Sequence, residues 1–168
     1  MKKILIVLAV ICTIGFNESH AQEMKKGMSL FNVGLGLVPG FGLNVSYDYG
    51  LIDAWGPGIF TIGCYAGFSN WGKTYPAKPH HVDYSVNAFA FAPRATYRYA
   101  INKVFEVYGT AYIGAMTEFH STYYDNRSVP FFAITAGCRY SFGSNIAVFA
   151  EIGYLYMSFL NGGLSFSF

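Results

Sequence analysis

The sequence predicts an all-β fold, an eight-stranded antiparallel transmembrane β-barrel, and three observations predict it. After residue 28, apolar residues alternate with small or polar ones at period two, and helical periodicity is almost absent. Charged residues are only 12% of the 168-residue chain and aromatics 19%, with 16 Phe and 14 Tyr, whereas a soluble domain is about 25% charged. The chain ends Leu164-Ser165-Phe166-Ser167-Phe168, closing on an aromatic where a free terminus would be polar. Beyond the first residues no stretch approaches the roughly 20 apolar residues of a spanning helix, so a membrane crossing requires a closed barrel.

The beginning reads as an export signal. Met1-Lys2-Lys3 is basic, Ile4 to Phe16 is apolar, and Ser19-His20-Ala21 supplies the small residues of a signal-peptidase site. A cut after Ala21 makes 1–21 a removed signal peptide and 22–168 a single barrel domain. Cys12 lies inside the apolar run behind Ile11, where a lipid-attachment site needs a small residue, so lipidation is not expected.

Eight runs follow in order. Leu30 to Val38 sets Phe31, Val33, Leu35 and Leu37 against Asn32, Gly34 and Gly36. Gly42 to Tyr49 sets Leu43, Val45, Tyr47 and Tyr49 against Asn44, Ser46 and Asp48. Ile59 to Asn70 places Phe60, Ile62, Cys64 and Phe68 opposite Thr61, Gly63, Tyr65 and Gly67. Asp83 to Tyr99 shows Phe89, Phe91, Pro93 and Tyr97 on one face and Ala90, Ala92, Arg94 and Arg98 on the other. After a tight turn at Ala100 to Lys103 come Val104 to Phe119 and Phe131 to Phe142. The turn Gly143-Ser144-Asn145 leads to Ile146 to Tyr156, and Leu160 to Phe168 completes the set.

The composition of the faces decides which side is inside. One face of every run is aromatic or aliphatic, while the other mixes Gly, Ala, Ser, Thr and charges. Bulky residues would crowd a narrow eight-stranded interior, so the apolar face belongs outside. Two aromatic belts are expected. Tyr47, Tyr49, Phe60, Tyr97, Tyr99, Phe105, Tyr140, Phe142 and Phe168 form the periplasmic one; Phe41, Phe68, Trp71, Phe89, Phe119, Phe132 and Tyr154 form the outer one. With both termini periplasmic, the outer loops are Pro39 to Phe41, Trp71 to Val82, His120 to Pro130 and Met157 to Phe159. The inner segment Gly50 to Gly58 is longer than such barrels need. Cys64 and Cys138 fall on non-neighbouring strands facing outward, so both are expected to be free thiols.

These residues resemble the small OmpA/OmpX-type barrels and the Gly- and Tyr-rich outer-membrane β-barrel domains common in Gram-negative bacteria. The resemblance runs from about Met28 to Phe168, and Phe166-Ser167-Phe168 is similar to their assembly signal. It implies residence in the cell outer membrane, contact with its lipid and lipopolysaccharide, and insertion by the barrel-assembly machinery. Such relatives include adhesins, structural anchors and lipid A-modifying enzymes, so the architecture alone does not choose a function.

Inside the barrel the alternation gathers Asp48, Arg94, Arg98, Glu106, Arg139 and Glu151 toward the periplasmic half. Three basic and three acidic groups sealed from water are expected to pair, Arg98 with Glu106 and Arg139 with Glu151 across their turns, as a polar plug rather than a gate or proton path. No metal site is assigned. His80 and His81 are adjacent and point opposite ways on an extended chain, and only Asp83 stands near them. No catalytic residue is assigned either. His120 and Ser121 are neighbours on opposite faces, and neither Thr122 nor Glu118 completes an aligned nucleophile and base. No cofactor is expected. A net charge of +2 without a basic tract argues against nucleic acid as a partner.

The function expected is that of a non-enzymatic outer-membrane barrel, structural or adhesive, with a lipid A-modifying enzyme and a small-solute channel as alternatives. Strands three to six are expected to rise above the membrane. Tyr75, Tyr123, Tyr124 and Arg127 sit near that summit as a surface for a host or cell-surface ligand.

Overall fold

The computed structural model describes residues 24–54, 58–77, 80–120, 126–143, 145–155 and 158–168. Eight strands close into a barrel: β1 (Ser29–Pro39), β2 (Phe41–Asp53), β3 (Gly58–Ala77), β4 (His80–Ala100), β5 (Phe105–His120), β6 (Arg127–Ser141), β7 (Ile146–Tyr154) and β8 (Ser158–Ser167). Every neighbouring pair is antiparallel, and β1 meets β8 from Leu30 opposite Ser167 to Pro39 opposite Ser158. Closure leaves no sheet edge along the shared length of the strands, the condition for satisfying backbone polar groups away from water.

The largest differences from the sequence expectation lie at three boundaries. The segment Trp71 to Val82, expected as a loop, is mostly a ladder in which Trp71 faces Val86 and Ala77 faces His80. Trp71, Thr74 and Tyr75 favour extended backbone, and Pro76 is tolerated because β2 stops at Phe41 opposite Asn70, leaving that edge of β3 without a strand partner among the described residues. Likewise β6 begins at Arg127, so Ser128 to Pro130 are strand rather than loop. At the opposite end β2 runs on to Asp53 past a bulge between Gly50 and Ile52, which absorbs much of the long inner segment.

The faces divide as their composition dictates. Leu43, Phe91, Ile113, Phe132, Ile134 and Ile152 are all more than half exposed on the exterior. Inside lie Asn32, Asn44, Ser46, Thr61, Thr96, Thr110 and Ser165, all buried. The interior is layered rather than uniformly polar. At the end away from the termini, Tyr65, Trp71, Val86, Tyr112, Met116 and Leu155 belong to one apolar cluster. At the terminal end Met24, Leu30 and Ile59 make a second, with Met28 against it. Trp71 is therefore not part of the outer aromatic belt expected from the sequence. It shares the parity of Tyr65 and Ser69, so its ring points inward and is only 8% exposed.

Candidate functional site

The charged layer occupies the interior between the two apolar clusters. β2 supplies Asp48, β4 Arg94 and Arg98, β5 Glu106, β6 Arg139 and β7 Glu151, all buried on inward-facing positions. They join as an alternating chain. Arg139 Nη1 lies 3.5 Å from Glu106 Oε2, and Arg98 Nη1 donates to Glu106 Oε1 at 2.7 Å. Arg98 Nη2 donates to Asp48 Oδ2 at 2.8 Å, and Asp48 Oδ1 lies 2.9 Å from Arg94 Nε. Arg94 Nη2 then stands 3.8 Å from Glu151 Oε1. Opposite signs alternate from one end to the other, so the layer is neutral as a whole.

Register explains how residues on non-adjacent strands meet. Asp48, Gly63 and Arg94 lie in one row across β2, β3 and β4. Gly63 projects no side chain, so the aspartate and the guanidinium close over it. The row of Tyr108, Gly137 and Glu151 repeats the device across β5, β6 and β7. There the Tyr108 hydroxyl donates to Glu151 Oε1 at 3.1 Å, and a Cβ on Gly137 would sit 2.5 Å from the Tyr108 ring. The Tyr112 hydroxyl donates to the other Glu151 oxygen at 3.4 Å. The guanidinium of Arg98 lies over the Tyr108 ring at 4.6 Å and that of Arg94 over Tyr112 at 5.3 Å, adding cation–π attraction.

The structure sets Arg98 against Glu106 but not Arg139 against Glu151. Glu151 falls opposite Gly137, and Arg139 falls opposite Phe149, two residues out of step. Arg139 turns instead to Glu106 and donates from Nε to Ser165 Oγ at 3.1 Å. The Arg94–Asp48 contact is close without the direction of a hydrogen bond. Arg94 Nε, Arg94 Nη2, Arg98 Nε and Asp48 Oδ1 are buried without a hydrogen-bond partner among the described residues. Sequence reasoning did not find the tyrosine hydroxyls as partners of Glu151. Their signal was the shared parity of Glu106, Tyr108 and Tyr112.

The remaining candidates scatter. Arg127 is exposed at the head of β6, opposite Glu118 and beside the 3.0 Å hydrogen bond of Thr117 with Ser128. Tyr75 lies in β3 opposite Val82. Tyr123, Tyr124, Ser121, Thr122 and the signal region 1–21 lie outside the described residues, as do the side chains of Tyr75, His80, His81, Asp83 and His120. Phe166 pairs with Phe31 and with Ile146, while Phe168 is exposed and exchanges both backbone hydrogen bonds with Ser29, at 2.8 and 3.0 Å. Cys64 and Cys138 are free. No group of three or more potential metal ligands occurs among the described residues.

No protein-family model matches the chain, and no curated protein sequence matches it. Solved structures do. The N-terminal β-barrel domain of Pseudomonas aeruginosa OprF aligns with a TM-score of 0.51 at 12% identity, covering 86% of this chain and 100% of that one. The fold is that of the small outer-membrane barrels. Ail, the attachment invasion locus protein of Yersinia pestis, solved in complex with the heparin analogue sucrose octasulfate, gives a TM-score of 0.48 at 16% identity. That alignment covers 86% of this chain and 100% of Ail.

Proposed function

We propose that this chain is a non-enzymatic protein of the cell outer membrane, structural or adhesive, with a closed lumen and a raised extracellular strand wall. Residues 1–21 are removed on export, and Phe166 and Phe168 present the closing strand to the barrel-assembly machinery. The observation that carries the reading is the inequality of the strands. β3 has 20 residues and β4 has 21, while β7 has 9 and β8 has 10. A tilted membrane strand needs about 9–11 residues, so β7 and β8 only span, while the β3–β4 hairpin carries about ten residues more. At roughly 3.3 Å per residue the excess is about 30 Å of strand. Short connections on the terminal side and long hairpins on the other orient the wall outward.

The wall has open edges. Among the described residues, β3 beyond Asn70 has no β2 partner and β6 before Ile134 has no β7 partner. Exposed backbone N–H and C=O groups there support pairing with an extended segment of a host or cell-surface ligand, and Arg127, exposed at the head of β6, lies on that edge. Below it, the exterior apolar belt meets membrane lipid and lipopolysaccharide. The lumen charges are engaged with one another and buried, which supports a plug over a catalytic centre or channel.

The test compares cells making the natural protein with cells making a version whose residues 72–83 are replaced by a short turn. Both should show equal heat-modifiable barrel in outer-membrane fractions. Adherence to a matrix-coated surface should fall to background in the shortened strain. Equal adherence of the two strains overturns the adhesive role and leaves the structural one.

A further inference from the structure

We propose that residues 24–28 form a lid, built into the chain, that seals the inner mouth of the barrel beneath the charged layer. The proposal rests on the closed-lumen reading and assigns that closure, on the periplasmic side, to a specific segment. Met24 precedes the first strand, where a linker would be exposed, yet it is only 5% exposed and packs with Leu30 and Ile59, themselves 0% and 5% exposed. In the strand register Leu30 stands opposite Asp48, and Ile59 stands opposite Arg98. The apolar cluster therefore abuts the Asp48–Arg98 ion pair, on the side of the chain termini.

The segment is fastened by its backbone. Gly27 N–H donates to Gly50 O at 2.9 Å, Gly50 N–H donates to Met28 O at 2.9 Å, and Met28 N–H donates to Lys25 O at 3.1 Å. Gly27 has φ +84°, the left-handed conformation that lets the chain reverse there. Gly50 carries no side chain where the Lys25 carbonyl lies, and a Cβ at that point would collide with it. A methionine is suited to this place because its unbranched side chain fills an irregular mouth between strand ends. The consequence is electrostatic. Ion pairs excluded from water interact more strongly than hydrated ones, so a dry cover on the inner side keeps the alternating charges locked to each other.

Thiol labelling of the full chain folded in detergent micelles tests the lid. Cys64 and Cys138 are replaced by Ser, and Thr61→Cys serves as reporter. Thr61 is fully buried two residues further in than Ile59. The probe is a charged, membrane-impermeant methanethiosulfonate. With the lid intact, labelling should be slow, and Met24→Leu should leave it slow. Met24→Asp and Gly50→Ala should each accelerate it by about tenfold or more, as local opening of the mouth becomes easier. Heat-modifiable mobility identifies the folded barrels. The two disrupting variants act from different sides of the contact, so Gly50→Ala decides the matter should Met24→Asp not fold. A folded disrupted variant that still labels slowly overturns the lid and leaves the closed lumen standing. Rapid labelling of the parent overturns the closed lumen itself.

Discussion

Arg98 is the residue on which the interior chemistry turns, because it holds Asp48 with one nitrogen and Glu106 with another. Replacing it by Met would keep most of the volume and strand two buried carboxylates. Loss of one member of a buried ion pair costs about 3–5 kcal/mol, less where water enters. Urea unfolding in lipid vesicles should show Arg98→Met destabilised on that scale; an unchanged midpoint would mean that the lumen is wet. Gly137 gives a second handle. Gly137→Ala places a methyl against the Tyr108 ring and pushes its hydroxyl from Glu151, at an expected cost of about 1–3 kcal/mol. The six charged positions were legible from alternation alone, since parity decides which side chains enter the lumen. Their partners were not. Pairing depends on which residues share a row across strands, and a glycine between two charges, as at Gly63, joins strands that are not neighbours.

At the scale of the element, the strands were legible where burial on one face enforces period two, and their ends were not. From Trp71 to Ala77, β3 pairs with β4 alone among the described residues, so the second ladder that fixes its lower half no longer marks where the strand ends. Trp71 shows the same limit in miniature. Its type suits an interfacial belt, and only the parity carried on from Tyr65 puts it inside. Within β4, Pro93 has no N–H, and the register with β5 lapses between Phe91 opposite Ala115 and Arg94 opposite Tyr112. Pro93→Val restores a donor at that gap. It should raise unfolding stability by about 0.5–1.5 kcal/mol, a typical net hydrogen-bond contribution. A fall in stability would show that the gap is needed to fit the strands.

For the whole molecule, closure is the organising fact. The seam between β1 and β8 is completed at the terminal side by Phe168 and Ser29, which exchange backbone hydrogen bonds. Deleting Phe168 should therefore leave unfolded protein in the periplasm, seen as loss of the heat-modifiable band from outer-membrane fractions; a normal folded yield would remove the terminus from the assembly signal. The closed seam, the alternating charge layer and the apolar clusters on either side of it together predict a barrel without a water path. Conductance of the pure folded protein in a planar lipid bilayer tests that claim most directly. A lumen closed in this way passes no stable single-channel steps, and reproducible steps from the unmodified protein would contradict the closure.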